Sequence, residues 1–84
     1  MVPLADMSMG SEALIHSFKG GRNFIARLAA LGFTPGAPVT ITRNHGIGPM
    51  IVSIRGARIA LGRGEARRIL VQPSNGLPNV SDEE

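Results

Sequence analysis

Leu28-Ala29-Ala30-Leu31-Gly32-Phe33-Thr34-Pro35-Gly36 carries the turn from the end of a helix to the start of a sheet, and the reading of the fold works outward from it. Gly32 follows the last apolar helical residue, where a left-handed glycine stops a helix, and Phe33 stands where the next side chain can fold back onto the last turn. Thr34-Pro35-Gly36 then offers proline and glycine in the order a type II turn requires. Upstream, Arg22 to Leu31 places Phe24, Ile25, Leu28 and Leu31 on the stripe of an amphipathic helix, and Gly20-Gly21 separates it from Glu12 to Phe18, a first strand. Downstream, Val39-Thr40-Ile41-Thr42 alternates apolar with polar at period two, as a half-buried second strand does. Asn44 to Pro49 is a loop, and Met50 to Ile54 is a β-branched third strand.

Arg55-Gly56-Ala57-Arg58 reads as a tight hairpin into Ile59-Ala60-Leu61, a fourth strand. Gly62 to Arg68 has room for one helical turn before a last short strand, Ile69-Leu70-Val71. Five strands and one helix within 72 residues are too few for two packed sheets. The expected fold is therefore all-β: a small SH3-like barrel of about five strands with one α-helix inserted after the first. Its expected core is Ala13, Ile15, Phe18, Leu28, Leu31, Val39, Ile41, Val52, Ile54, Ile59, Leu61, Ile69 and Val71. Residues 1–72 are expected to form the domain. Residues 73–84, rich in proline and polar groups and ending in Asp82-Glu83-Glu84, read as a disordered acidic tail.

An 84-residue chain buries only about 60 to 65 % of the surface its unfolded form exposes, so its stability is modest. There is no cysteine, which excludes disulfides, thiolate metal sites and iron–sulfur clusters and fits a reducing compartment. The N-terminus lacks a basic region followed by an apolar run, and no apolar stretch approaches the ~20 residues of a membrane helix, so the expected location is the cytosol. The net charge is +3, but three of the six acids are the last three residues, leaving nine bases against three acids in residues 1–81. Eight of the nine bases are arginine, which pairs bidentately with carboxylates and phosphates. On composition alone this balance suits an anionic partner surface, whether nucleic acid, lipid headgroup or an acidic protein, and equally a basic surface that merely keeps the domain soluble.

The pattern holds no catalytic constellation: no Cys, Tyr or Trp, two isolated histidines, and neither a nucleophile elbow nor a phosphate-binding Gly-x-x-x-x-Gly-Lys-Ser/Thr. The chain reads as a binding protein, not an enzyme. His16 and His45 lie 29 positions apart with no third ligand in sight, so neither a metal site nor any other cofactor is expected. A protein that reads single-stranded nucleic acid stacks bases on aromatic side chains, and the three phenylalanines here fit the helix, its end and the core, which argues against nucleic acid.

Several motifs in this order resemble the FeoA family: Pro3-Leu4-Ala5-Asp6-Met7, Gly20-Gly21 before the helix, Leu28 to Gly36, Gly48-Pro49, and Ile51 to Leu61 with its Gly-x-x-Ile-Ala-Leu hairpin, closed by Ala66 to Val71. The resemblance spans about residues 3–72. It implies an SH3-like accessory protein of ferrous-iron uptake that binds the cytoplasmic part of a FeoB-type GTPase permease, with no catalytic residues. Similar barrels end iron-dependent repressors, so a metal-sensing SH3-like module or a nucleic-acid-binding small barrel are the competing readings. On this view the candidate partner-binding residues are Arg22 and Arg27 on the helix, Asn44 and His45 in the loop, and Arg55 and Arg58 at the hairpin.

Overall fold

Alternating apolar residues in the strands supply one face of a single antiparallel sheet, and the computed structural model, which describes residues 1–74, shows that face turned onto one core. The elements in chain order are β1 (Val2–Pro3), a 3-10 turn (Leu4–Asp6), β2 (Glu12–Phe18), α1 (Arg22–Ala30), β3 (Pro38–Arg43), β4 (Met50–Ile54), β5 (Ala57–Leu61), α2 (Arg63–Arg67) and β6 (Ile69–Pro73). The sheet order is β1-β6-β2-β3-β4-β5, six strands where the sequence predicts about five. The additional one is β1, in which Val2 and Pro3 pair with Val71 and Leu70. Two bulges, at His16 in β2 and at Thr42 in β3, shift the register by one residue. Each bends its strand and strengthens its twist, which helps so short a sheet wrap its core.

The core alternates as the strands do: Ala13 and Ile15, Val39 and Ile41, Met50, Val52 and Ile54, Leu61, then Ile69 and Val71. The connections complete it with Leu4, Met7, Leu28, Phe33, Ala37 and Ala66, while Phe18 and Ile59 are only partly buried against it. Leu31, expected inside, is 42 % exposed. The helix has already ended there: Leu31 is its C-cap, and the inward position passes to Phe33. The amide of Phe33 donates to the Leu28 carbonyl at 2.9 Å and that of Gly32 to Ala29 at 3.0 Å, the paired bonds of a Schellman motif, with Leu28 and Phe33 buried together. Gly32 has φ +101°, open to glycine and strained for any other residue. After it, Ala37 donates to Thr34 at 3.0 Å, closing the Thr34-Pro35-Gly36 turn.

The β4–β5 turn is tighter than the sequence suggests. It consists of Arg55 and Gly56 alone, with φ +49° and +80°, and Ala57 and Arg58 already belong to β5. Two successive left-handed residues make the type I′ turn that matches strand twist. β6 runs through Pro73, one residue past the expected end of the domain, and Ser74 donates to the Glu12 carbonyl. The rest of the expected tail lies outside the described residues. No helix of the described residues is long and apolar enough to cross a membrane.

Candidate functional site

α1 is held to the barrel by few side chains. Leu28 is buried and Phe24 half-buried, whereas Ile25, Ala26, Ala29, Ala30 and Leu31 are exposed beside Arg22 and Arg27. The helix thus carries an outward surface that is apolar along its length, with Arg22 at its first turn. Arg27 is drawn aside: its Nη2 lies 2.6 Å from Glu65 Oε2 of α2, and its guanidinium carbon stands 5.9 Å from the Phe24 ring centre. Arg68 lies 5.1 Å from the same ring, so Phe24 gathers two cations around it. Glu65 also fixes the start of α2, where its Oε1 accepts the Gly62 amide at 3.0 Å.

Arg55 bends back over the end of α1. Its Nε donates to the Gly32 carbonyl at 3.1 Å and its Nη2 to Thr34 Oγ1 at 2.8 Å. This couples the hairpin to the residues just past the helix terminus, where the Gly32 carbonyl also accepts the Thr34 amide at 3.0 Å. Arg58, on β5 opposite Ser53, is exposed and makes no ion pair among the described residues.

Asn44 and His45 lie at the other end of β4, roughly 13 Å along the strand from the hairpin. Asn44 is half-buried and fully engaged. Its Nδ2 donates to the carbonyls of Ala5 (3.1 Å) and Met7 (2.7 Å), and its Oδ1 accepts from the Gly46 amide (3.1 Å) and Arg63 Nη2 (2.9 Å). Arg63 adds bonds to the carbonyls of Gly48 (3.0 Å) and Ala5 (3.3 Å). The pair ties the loop to the N-terminal segment and to α2. His45 beside it is exposed, as is Ile47, at 81 %.

The six residues singled out from the sequence therefore fall into two regions. Arg22, Arg27, Arg55 and Arg58 belong to α1 and the hairpin that touches its end. Asn44 and His45 belong to the opposite loop, where Asn44 organises backbone. Arg63 is bonded to the loop of Asn44 and Gly48, and Arg68 stands over Phe24 of α1. The Asn44–Arg63 junction is a feature sequence reasoning misses, because its partners are up to 58 residues apart and no local pattern announces them. Among the described residues no three His, Asp or Glu side chains converge as metal ligands, and no enclosed pocket forms. His16, at the β2 bulge, is exposed and contacts Ser17 Oγ at 3.0 Å.

Comparison with known proteins agrees with this architecture. The model of the FeoA domain family matches residues 2–73. A Methanocaldococcus jannaschii protein named "Putative Fe(2+) transport protein A" is 36 % identical over 72 residues, covering 86 % of this chain and 87 % of its own. A crystal structure of an iron uptake regulatory protein, FeoA, superposes with a TM-score of 0.82 at 37 % identity, covering 87 % of this chain and 97 % of its own. The zinc complex of Stenotrophomonas maltophilia FeoA, described as a procaryotic SH3 domain protein, gives 0.74 at 26 % identity, covering 86 % and 91 %. With its six-stranded antiparallel sheet, its one substantial helix and a family match running from β1 to the end of β6, this chain belongs to the FeoA family of SH3-like ferrous-iron transport accessory proteins.

Proposed function

We propose that the chain is a cytosolic accessory protein of ferrous-iron uptake that acts by docking on the cytoplasmic part of a FeoB-type GTPase permease. The observation that carries this reading is the surface of α1, a helix that buries one residue fully and leaves Ile25, Ala26, Ala29, Ala30 and Leu31 exposed beside Arg22. An apolar strip rimmed by arginine suits a protein partner, whose interface buries apolar groups centrally and pairs charge at the edge. The adjoining hairpin, with Arg55 and Arg58, extends the proposed contact surface, and Arg27 flanks it. His45 contributes only if the partner also reaches the opposite loop. Asn44 supports that loop from within.

The test is affinity capture from detergent-solubilised membranes and cytosol, with the purified full chain as bait. Recovery of a ferrous-iron GTPase permease, lost with an Arg22→Glu, Ala26→Glu double variant that remains folded, supports the proposal. Recovery of RNA or ribosomes alone, released by salt as counterion-driven binding requires, sinks it.

A further inference from the structure

β5 is the last strand of the sheet on its side, and its outer edge is bare among the described residues. A two-residue hairpin makes Ile54 and Ala57 a hydrogen-bonded pair, so Ala57, Ile59 and Leu61 direct their backbone groups at β4. Arg58 and Ala60 direct theirs outward. Neither residue's amide or carbonyl takes part in a backbone or side-chain hydrogen bond among the described residues outside the ladder. Two N–H and two C=O groups in a row form a template for another strand. The side chains around them say what that strand should carry. Arg58 and Ala60 are exposed on the solvent face, while Ile59 faces the core but remains half-exposed at the open edge.

We propose that the β5 edge is a β-augmentation site for an extended acidic polypeptide segment, which adds antiparallel to β5 with a carboxylate opposite Arg58 and an apolar side chain opposite Ile59. Charge selects this occupant. The described residues contain three acids, Asp6, Glu12 and Glu65; the single ion pair among them is Arg27–Glu65, so nothing within the described fold neutralises Arg58. A second copy of the chain fits less well. Antiparallel pairing of two β5 edges sets Arg58 against Ala60 of the copy and leaves the two Arg58 side chains as diagonal neighbours, about 7–8 Å apart on one face. An acidic strand in the same register turns that repulsion into attraction. Backbone bonds would supply affinity, and the alternating side chains would supply selection. The site shares Arg58 with the hairpin end of the proposed contact surface but needs neither the outer face of α1 nor the identity of the permease.

The probe is the peptide acetyl-Val-Thr-Val-Glu-Val-amide, in which valine meets Ile59 and glutamate meets Arg58, titrated to millimolar concentration into the ¹⁵N-labelled full chain. The Arg58 and Ala60 amides are expected to shift and to gain protection from exchange, with Ala57 and Ile59 less affected because their amides are already bonded. Lysine in place of the glutamate should weaken binding about tenfold, and Arg58→Glu should invert that preference; Arg58→Ala should abolish it. N-methylation of the peptide threonine and glutamate, whose amides face the edge, should eliminate binding. Unmoved Arg58 and Ala60 amides, or equal affinity for the glutamate and lysine peptides, overturn the proposal. So does protection of these amides in the chain alone if dilution releases it, which identifies a second copy, or if removal of residues 75–84 releases it, which identifies the chain's own acidic end.

Discussion

Gly32→Val tests the junction between helix and sheet. Gly32 has φ +101°, a region that β-branched residues avoid, and a non-glycine residue held there costs on the order of 1 to 3 kcal/mol. A Cβ at this position would also stand 3.1 Å from Arg55 Cδ, with Cγ and Cβ at 3.6 and 3.7 Å. Arg55 must therefore move, loosening its bonds to the Gly32 carbonyl and to Thr34 Oγ1, each worth about 0.5 to 1.5 kcal/mol net. The sum, about 2 to 6 kcal/mol if both bonds are lost, is a large fraction of the roughly 4 to 12 kcal/mol typical of a domain this size. In a urea melt with a slope of about 1 kcal/mol/M, the midpoint should fall by roughly 2 to 6 M. Two variants separate the contributions. Arg55→Ala should cost only the hydrogen bonds, about 1 to 3 kcal/mol. Combined with it, Gly32→Val should cost less than in the parent, because the side chain it displaces is already gone. A loss under about 0.5 kcal/mol for Gly32→Val, or strict additivity of the two changes, would refute the account of this junction.

Asn44→Ala strips two carbonyls, Ala5 and Met7, and one guanidinium, Arg63, of a partner, and should destabilise the chain by about 1 to 3 kcal/mol while accelerating amide exchange at Gly46; a melt and an exchange profile like the parent's would contradict its role. Glu65→Gln should lower stability by less than about 1 kcal/mol in urea, since the Arg27–Glu65 pair is largely open to water, with side-chain exposures of 60 % and 35 %; a larger loss would show that the pair matters more than its exposure suggests. A chain ending at Ser74 should melt within about 10 °C of the full chain, because all six strands of the described sheet lie within residues 1–73; a greater drop would show that residues 75–84 pack on it. Anaerobic calorimetry with Fe(II) and Zn(II) should find no stoichiometric site tighter than about 1 µM in the isolated chain. Such a site, lost on His16→Ala or His45→Ala, would favour a metal sensor or carrier.

How much of this was legible beforehand depends on how local the cause is. The helix end was legible because the Leu31-Gly32-Phe33 conformation is fixed within a few residues, β3 because Val39 to Thr42 alternates at period two, and β4 because Met50 to Ile54 is rich in β-branched residues. β1 was not: two residues carry no period, and they form a strand only because β6 comes alongside them. Leu31 was misplaced because the helical stripe was extended one residue past the last turn that could turn it inward. Met50 and Leu4 were left out of the expected core because one opens a strand and the other sits in a turn, where period says nothing about direction. The arginines were legible as charge but not as contacts. Arg55 was recognisable at the hairpin, yet its grip on Gly32 depends on a tertiary approach between segments 23 residues apart.

The position of β6 has a consequence for how the molecule is made. It is the last strand of the described chain to be synthesised, yet it lies between β1 and β2, the first two. Until Ile69–Pro73 has emerged from the ribosome, β1 has no neighbour and β2 lacks one of its two. A nascent chain can form α1 and the β3-β4-β5 meander early, but the sheet cannot close stepwise from its N-terminus. Pairing of Val2 with Val71 adds a contact spanning nearly the whole described chain, and such separations slow folding towards the millisecond-to-second range. With β2 paired to β3, the early sheet exposes its β2 and β5 edges throughout that interval, which makes premature strand pairing between nascent chains the hazard this topology has to outrun.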